Sequence, residues 1–190
     1  MTMSYRLRRK LLWTLFLIGL TVLAAAASAT TLARLSFDDL ADKATAITRA
    51  RCIGSTSIWR NGEIWTDTEF EVLEVSKGTA AGVLRISLPG GRVDHVQSQV
   101  DGVPVFRAGE EVYLFLWRGR GPGTYVLGWT QGTFRITRDA NSRVARVTQD
   151  SAATPIFDPA TREFRHGGVR NLPLPAFQLR LKQALDRTNR

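Results

Sequence analysis

The sequence predicts a mostly β protein, a small antiparallel barrel or sandwich with a short helix near its beginning and an amphipathic helix at its end. Three observations indicate this class. β-Branched and aromatic residues recur in short runs between turn residues. One short helical segment precedes those runs, and no alternation of strands with long helices points to a parallel sheet.

The first 29 residues have the pattern of an export signal. Four basic residues precede an apolar run, Leu11–Leu23, and Ala27-Ser28-Ala29 fits the small-x-small rule for cleavage. A membrane anchor is the alternative, because a spanning helix needs about 20 apolar residues. We expect a periplasmic or secreted protein cleaved near Ala29, with membrane attachment only through an uncleaved signal.

The net charge of +9 depends strongly on that segment. It holds four of the 26 basic residues and none of the 17 acids, so residues 30–190 would carry +5. This argues against a nucleic-acid role based on charge. The remaining basic residues near the C-terminus favour a solvated surface over a patch for an anionic partner. They are Arg162, Arg165, Arg170, Arg180, Lys182, Arg187 and Arg190.

The residue types that usually carry catalysis are scarce. Cys52 is the single cysteine, so it has no internal disulfide partner, and a lone cysteine within a strand is typically a small buried apolar residue. A reactive thiol paired with His95 is the alternative. His95 and His166 lie in predicted loops outside metal-binding patterns. No catalytic residue, cofactor or metal site is therefore predicted.

Local signals define the helices and strands. Ser36 can cap a helix over Phe37–Lys43. In "EVYLFLWR" both sets of alternate positions carry apolar residues, as in a central strand covered on both faces. Phe177, Leu181 and Leu185 recur every fourth residue and predict an amphipathic helix. The predicted strands are Ala46–Trp59, Glu63–Val75, Gly82–Leu88, Val103–Phe106, Glu111–Arg118, Tyr125–Thr137 and Arg143–Thr148.

The domain organisation follows from these elements. A signal peptide, 1–29, precedes a β-barrel domain, 30–148. A proline-containing, loop-rich linker, 149–173, leads to the C-terminal helix, 174–190.

Asn61-Gly62 predicts a type I′ turn and so sets the register of the first two strands. Up to Val72 the apolar residues of the second strand, apart from Trp65, occupy even-numbered positions, and beyond it they occupy odd-numbered ones. This change predicts one β-bulge near Val72. The bulge would place Ile47 opposite Val75 and Arg49 opposite Leu73. Between the turn and the bulge, the predicted pairs are Trp59 with Ile64, Ser57 with Thr66, Ser55 with Thr68 and Ile53 with Phe70.

The opposite face of this hairpin is acidic. Asp67, Glu69 and Glu71 alternate along one strand and share that face, and Cys52 is predicted to lie there too. A solvated sheet face is favoured over a site for a hard cation. Together with Trp65, the best candidate for an exposed ring, these acids form the predicted contact surface.

Several blocks of the chain resemble a family of uncharacterised secreted bacterial proteins. They are the stretch from Leu40 to Gly78, "LPGG", "FRAGEEVYLFLW", "LGWTQGTFRI" and "LPLPAFQLRLKQAL". The first half is also distantly similar to the netrin-like domain of the tissue inhibitors of metalloproteinases. That resemblance implies a five-stranded, OB-like Greek-key barrel. It does not imply inhibition, because Cys52 lies within a strand and the inhibitors use an N-terminal cysteine.

The expected function is that of a non-enzymatic binding or accessory module. We expect an exported, monomeric, OB-like (netrin-like) barrel that contacts a protein partner outside the cytoplasm, a function inferred from fold-level analogy. The alternative is a module that binds cell-wall glycan through exposed tryptophan and arginine. An enzyme of undefined type is the third hypothesis.

Overall fold

The computed structural model describes residues 33–119, 123–138 and 144–188, and these belong to one compact unit. The export pattern lies outside the described residues. The described chain has two helices, α1 (Phe37–Lys43) and α2 (Leu174–Thr188). Neither is long and apolar enough to cross a membrane.

Most of the regular structure in the described ranges is β. The strands are β1 (Ala46–Arg60), β2 (Glu63–Lys77), β3 (Val83–Pro89), β4 (Gly91–Val93), β5 (Val96–Ser98), β6 (Glu111–Arg118), β7 (Thr124–Val126), β8 (Thr133–Thr137), β9 (Arg146–Gln149), β10 (Ile156–Asp158), β11 (Glu163–Arg165) and β12 (Leu172–Pro173). Two 3₁₀ turns cover Trp129–Gly132 and Asp150–Ala153.

One antiparallel sheet organises the fold, in the order β12-β9-β8-β6-β1-β2-β3, with β7 also paired to β6. The pairs β4–β5 and β10–β11 form two separate small hairpins. β7 approaches β3, but no hydrogen-bonded ladder joins them in the described part of the chain, so the sheet is open. The predicted antiparallel β fold with two flanking helices is confirmed in this form.

Both helices begin and pack as their sequences predict. The Ser36 hydroxyl accepts a hydrogen bond from the Asp39 amide (3.0 Å), and the Asp39 carboxylate accepts one from the Ser36 amide (3.1 Å). This capping box starts α1 at Phe37, and the hydrogen bond from the Ser36 side chain lowers the pKa of Asp39. On α2, Phe177 and Leu181 are buried, so the amphipathic pattern is the packed face.

β6 is the central strand and separates two apolar clusters. Tyr113 and Phe115 join the cluster beneath the helices, which includes the Phe37 and Phe177 rings. Val112, Leu114 and Leu116 join the cluster inside the curved β1–β2–β3 sheet. The prediction that this strand is covered on both faces is confirmed, and the second cluster forms the floor for the candidate site.

The hairpin register is confirmed near the turn. Asn61 and Gly62 have φ of 53° and 83°, as a type I′ turn requires. Among the predicted pairs, Trp59 faces Ile64, Ser57 faces Thr66 and Ser55 faces Thr68.

Farther from the turn, the predicted register is wrong. The first irregularity falls at Ile53, so Phe70 pairs with Cys52 instead of Ile53. Because one extra residue reverses strand parity, Cys52 turns from the predicted acidic face into the core, and Ile53 becomes exposed. Two more shifts place Arg49 opposite Glu74 and Ile47 opposite Lys77. One of the three irregularities falls between Val72 and Glu74, where the single bulge was predicted. The other two, at Ile53 and between Val75 and Lys77, were not predicted.

Three other element predictions need correction. The predicted strand 103–106 is irregular chain. The predicted strand Tyr125–Thr137 is broken by Gly128, whose φ of 61° starts the 3₁₀ turn between β7 and β8. The predicted linker, 149–173, contains the β10–β11 hairpin and β12. These short pairs lack an alternating pattern long enough to distinguish them from loops.

Candidate binding cleft

Four hydroxyl side chains lie side by side on the inner face of the β1–β2 hairpin. Side chains two apart on a strand share a face, so Ser55 and Ser57 meet Thr66 and Thr68 across the pair. The Ser57 and Thr66 hydroxyl oxygens are 2.8 Å apart, and those of Ser55 and Thr68 are 2.9 Å apart. We call this set the hydroxyl ladder.

The chain after β3 crosses the ladder at close range. The Thr66 hydroxyl donates to the Gly90 carbonyl (2.7 Å), and the Arg92 amide donates to the Ser57 hydroxyl (3.2 Å). Since Thr66 has one hydroxyl proton, Ser57 must donate to Thr66. The result is a directed chain of hydrogen bonds from Arg92 through both hydroxyls to Gly90.

Gly91 makes this crossing feasible. Its φ is 131°, a conformation that side chains rarely adopt, and a Cβ there would collide with the hydroxyls of Thr66 and Ser57. A glycine in a position of close backbone approach is thus required by the geometry. It belongs to the "LPGG" block that the sequence marks as a turn.

A cleft of about 540 Å³ lies beside the ladder. The segment 97–106 forms its opposite wall, and the β3–β4 connection closes one side. Leu88, Val103 and Phe106 supply apolar surface, while Gln97 and Gln99 supply exposed amides. We call this space the hydroxyl cleft. Its volume and its mixture of apolar lining with a few polar groups are typical of ligand sites.

The irregular wall of the cleft is anchored to the sheet by Arg135 of β8. The Arg135 guanidinium donates to the Val105 carbonyl (2.7 Å) and lies 5.4 Å over the Phe106 ring. It also pairs with Asp150 (2.6 Å) and with Glu110. Burial by itself would lower the pKa of Arg135, but the hydrogen bonds and charge of these acids raise it above its ordinary value.

The same wall is continuous with the apolar core. The Phe106 ring contacts Phe70 edge-to-face, with centroids 4.9 Å apart. The Glu110 carbonyl accepts from the Cys52 amide (2.9 Å), and the Gly109 amide donates to the Cys52 carbonyl (2.8 Å). Ion pairs and ring packing thus hold the wall, and backbone bonds hold the turn that follows it against β1.

The predicted contact surface, Trp65, Asp67, Glu69 and Glu71, lies on the outer face of the sheet, away from the cleft. Each acid has an arginine partner: Asp67 with Arg60 (3.2 Å), Glu69 with Arg85 (2.7 Å) and Glu71 with Arg51 (3.6 Å). Cross-strand pairs of this kind neutralise the ladder of acids. In the described ranges, no group of three or more His, Cys, Asp or Glu residues could hold a metal.

Trp65, the predicted best candidate for an exposed ring, is less exposed than Trp59 and Trp117. Trp65 is partly buried and carries the Arg60 guanidinium 5.6 Å over its ring. Trp59, at the hairpin tip, is 53% exposed, and Trp117 is 45% exposed. The rings of Trp117 and Tyr125 lie 6.1 Å apart with their planes inclined by 41°.

The candidate nucleophile and base lie in opposite environments. Cys52 is buried, and burial raises the pKa of its thiol, which opposes the thiolate form that a nucleophile needs. His95, between β4 and β5, is exposed, as is His166 after β11. This arrangement gives no support to a Cys52–His95 pair.

Sequence reasoning found the hydroxyl ladder and missed the cleft. The register places all four hydroxyls on the face predicted to be the core side, and a polar stretch on such a face is itself a signal. What the pattern did not predict is that the segment covering this face, 97–106, leaves a cavity there.

The fold and cleft define this chain as a small antiparallel β domain with a cleft beside its first hairpin, among the described residues. Comparison with protein-family models, with curated proteins and with solved structures finds no match for the chain.

Proposed function

We propose that this protein is a non-enzymatic binding module that holds an extended segment of a protein partner in the hydroxyl cleft. The observation that carries the proposal is the composition of the cleft. One wall offers hydroxyls, the other offers amides and backbone groups, and Leu88, Val103 and Phe106 offer apolar contact. Extended peptides are recognised by this combination of apolar pockets for alternate side chains and polar groups for the backbone.

The cleft favours a peptide over a sugar. Among its described lining residues the one aromatic side chain is Phe106, which is 5% exposed and packed on Phe70. No tryptophan or tyrosine of the described chain lines it, so no amphipathic ring is available there for a sugar face.

The proposal includes the location and the finer fold. The export pattern of residues 1–29 supports a partner outside the cytoplasm. The approach of β7 to β3 and the bends of β1 support an OB-like arrangement of β1, β2, β3, β6 and β7, as the netrin-like resemblance implies. In such a barrel the cleft would lie over one end of the coiled β1–β2 hairpin.

Selection of binding peptides from a random library on the purified protein tests the proposal. Gln99 is exposed and lines the cleft, so Gln99→Trp should obstruct it and weaken selected peptides at least tenfold. Gln183→Trp, on the exposed side of α2, is the matched control and should leave affinity unchanged. Urea midpoints near wild type would show that both variants fold. Peptides that bind both variants equally, or failure to select any, would overturn the proposal.

A second candidate is glycan binding by the exposed Trp117–Tyr125 pair. Co-sedimentation with purified cell-wall glycan is the assay. Trp117→Ala should abolish the sedimented fraction, whereas Trp59→Ala, which removes an equally large and exposed ring at the hairpin tip, should not. No sedimentation by wild type, or equal loss in both variants, would remove this candidate.

A further inference from the structure

A second cleft, of about 330 Å³, lies where the chain entering α1 meets α2 and the segment after β11. It shares no lining residue with the hydroxyl cleft. Three arginines line it, Arg34, Arg165 and Arg180, and no aspartate or glutamate is among its described lining residues. We call this space the arginine cleft.

The backbone around Arg34 is held by a buried amide. The Arg34 amide donates to the Phe157 carbonyl (2.9 Å), which ties this segment to β10. Gln131 is 2% exposed, accepts from the Leu35 amide (2.8 Å) and donates to the Ala33 carbonyl (2.9 Å). An interior glutamine that satisfies the backbone on both sides of Arg34 fixes the position of this residue at the cleft.

Arg180 is presented to the cleft from α2. Its guanidinium carbon lies 4.5 Å from the centroid of the Phe37 ring, an arrangement that orients the side chain. In the described chain no carboxylate forms an ion pair with it. Phe37 itself lines the cleft, so the ring supports the cation at the wall.

The other two arginines have weak or exposed partners. Arg34 is 3.7 Å from Asp158, and Arg165 pairs with Glu163 (2.9 Å) on the exposed β10–β11 hairpin. The Arg165–Glu163 pair is solvent-exposed, and 3.7 Å is a long separation for the Arg34–Asp158 pair, so neither pair contributes much to stability. A ligand carrying several negative oxygens can therefore replace them at little cost.

Two glycines allow the chain to close the cleft. A Cβ on Gly167 would collide with the Arg34 guanidinium, and one on Gly168, whose φ is 112°, would collide with the Gln149 side chain. The same two glycines line an adjoining cavity together with His166 and Arg170. The basic lining thus continues beyond the three arginines.

We infer that the arginine cleft binds a small molecule that carries two or more oxyanion groups, phosphate or carboxylate. Guanidinium groups present a planar fork of donors that matches both groups bidentately. Three arginines line a space of the size that small ligands occupy, and the acids that pair with Arg34 and Arg165 lie outside the described lining. Two of the basic C-terminal residues, Arg165 and Arg180, therefore line a cavity together with Arg34 and do not lie only on a solvated surface.

Calorimetric titration of the purified protein with pyrophosphate and with citrate at low salt tests this inference. We expect saturable binding of at least one of them in a one-to-one complex. Arg180→Gln should weaken it about tenfold, the loss of one charge-assisted pair. Arg187→Gln is the matched control, since it removes the same charge two turns away on the same helix and outside the cleft. It should change affinity by less than about twofold.

Arg165→Gln guards against a folding effect, because Arg165 lies on an exposed hairpin. It should weaken binding as Arg180→Gln does while leaving the thermal unfolding midpoint unchanged. Binding of pyrophosphate alone would assign phosphate ligands, and binding of citrate alone would assign carboxylates. Absence of saturable binding by both probes, or equal weakening by Arg187→Gln and Arg180→Gln, would overturn the inference. These outcomes do not depend on whether peptides bind the hydroxyl cleft.

Discussion

Arg135 and Asp150 form a two-point ion pair that connects the wall of the hydroxyl cleft to the end of β9. Nε and Nη2 of Arg135 lie 2.6 Å and 2.9 Å from the two oxygens of Asp150. The same Nη2 donates to the Val105 carbonyl, so one side chain holds an irregular wall segment against the sheet. A loop without strand pairing is thereby given a defined position.

Arg135→Ala should destabilise the protein by about 3 kcal/mol, because the partly buried Asp150 and Glu110 lose their cation. Urea unfolding at neutral pH measures this change. Arg135→Lys should recover only part of it, since an ammonium cannot make the two parallel bonds. Combining Arg135→Ala with Asp150→Asn should cost less than the sum of both single changes. Strict additivity would show that the pair contributes nothing to the wall.

Acid should weaken the fold through Glu111. Burial by itself raises the pKa of Glu111, but hydrogen bonds from Arg138 and Arg51 outweigh it and hold the pKa below 4.5. Because the folded-state pKa is lower than the unfolded-state value, the ionised group stabilises the protein above about pH 4.5. That contribution is lost as the pH falls through the folded-state pKa.

Glu111→Gln should therefore lower the free energy of unfolding by about 2 kcal/mol at pH 7. The difference from wild type should narrow toward pH 3 in urea unfolding, since wild type alone loses an ionised side chain at this position. Glu63→Gln, on the exposed hairpin, is the control and should follow wild type at every pH. A difference that is constant with pH would contradict the role of ionised Glu111.

Gly91→Ala should destabilise the protein by about 2 kcal/mol, because the conformation is strained for alanine and the methyl group would displace the Ser57 and Thr66 hydroxyls. Thermal or urea unfolding measures it. Gly82→Ala is the matched control, since its Cβ would meet open space at an ordinary φ. It should be neutral or stabilising by about 0.5 kcal/mol. Equal effects at both positions would contradict the close approach over the hydroxyl ladder.

Cys52 should resist thiol reagents in the folded state, because it is 1% exposed and burial raises the pKa of its thiol. A colorimetric disulfide reagent at pH 8 should react with it only after urea unfolds the chain. Thr56→Cys in a Cys52→Ala background supplies an exposed thiol on the same strand and should react at once. Rapid reaction of native Cys52 would return the enzyme hypothesis to consideration.

The local elements were predictable because their signals are local. Ser36 and Asp39 suffice to start α1, and Asn61-Gly62 suffices to set the nearest pairs of the hairpin. The prediction failed where a single residue changes the parity of a strand. The bulge at Ile53 lies beside Gly54, a glycine within a strand that can mark a bulge but does not fix the register beyond it. That bulge decides that Cys52 is buried.

The candidate sites were less predictable because each is made by segments distant in sequence. The acids Asp67, Glu69 and Glu71 form the clearest pattern in the chain, and each of them has an arginine partner drawn from another position of the sheet. The arginine cleft joins Arg34 to Arg180, residues that no local pattern relates.

The sequence by itself determined the antiparallel β class, the two helices, the central position of β6 and the hydroxyl ladder, because alternation, capping and turn chemistry act between near neighbours. Only the tertiary structure decided that the sheet stays open, that Cys52 faces the core, and that the segment 97–106 stands off the ladder to leave a cleft. The cleft depends on Gly91 passing close to two hydroxyls and on Arg135 reaching from β8 to hold the wall, and the orientation of Cys52 depends on the bulge at Ile53. Contacts between segments so far apart are set by the packing of the whole domain.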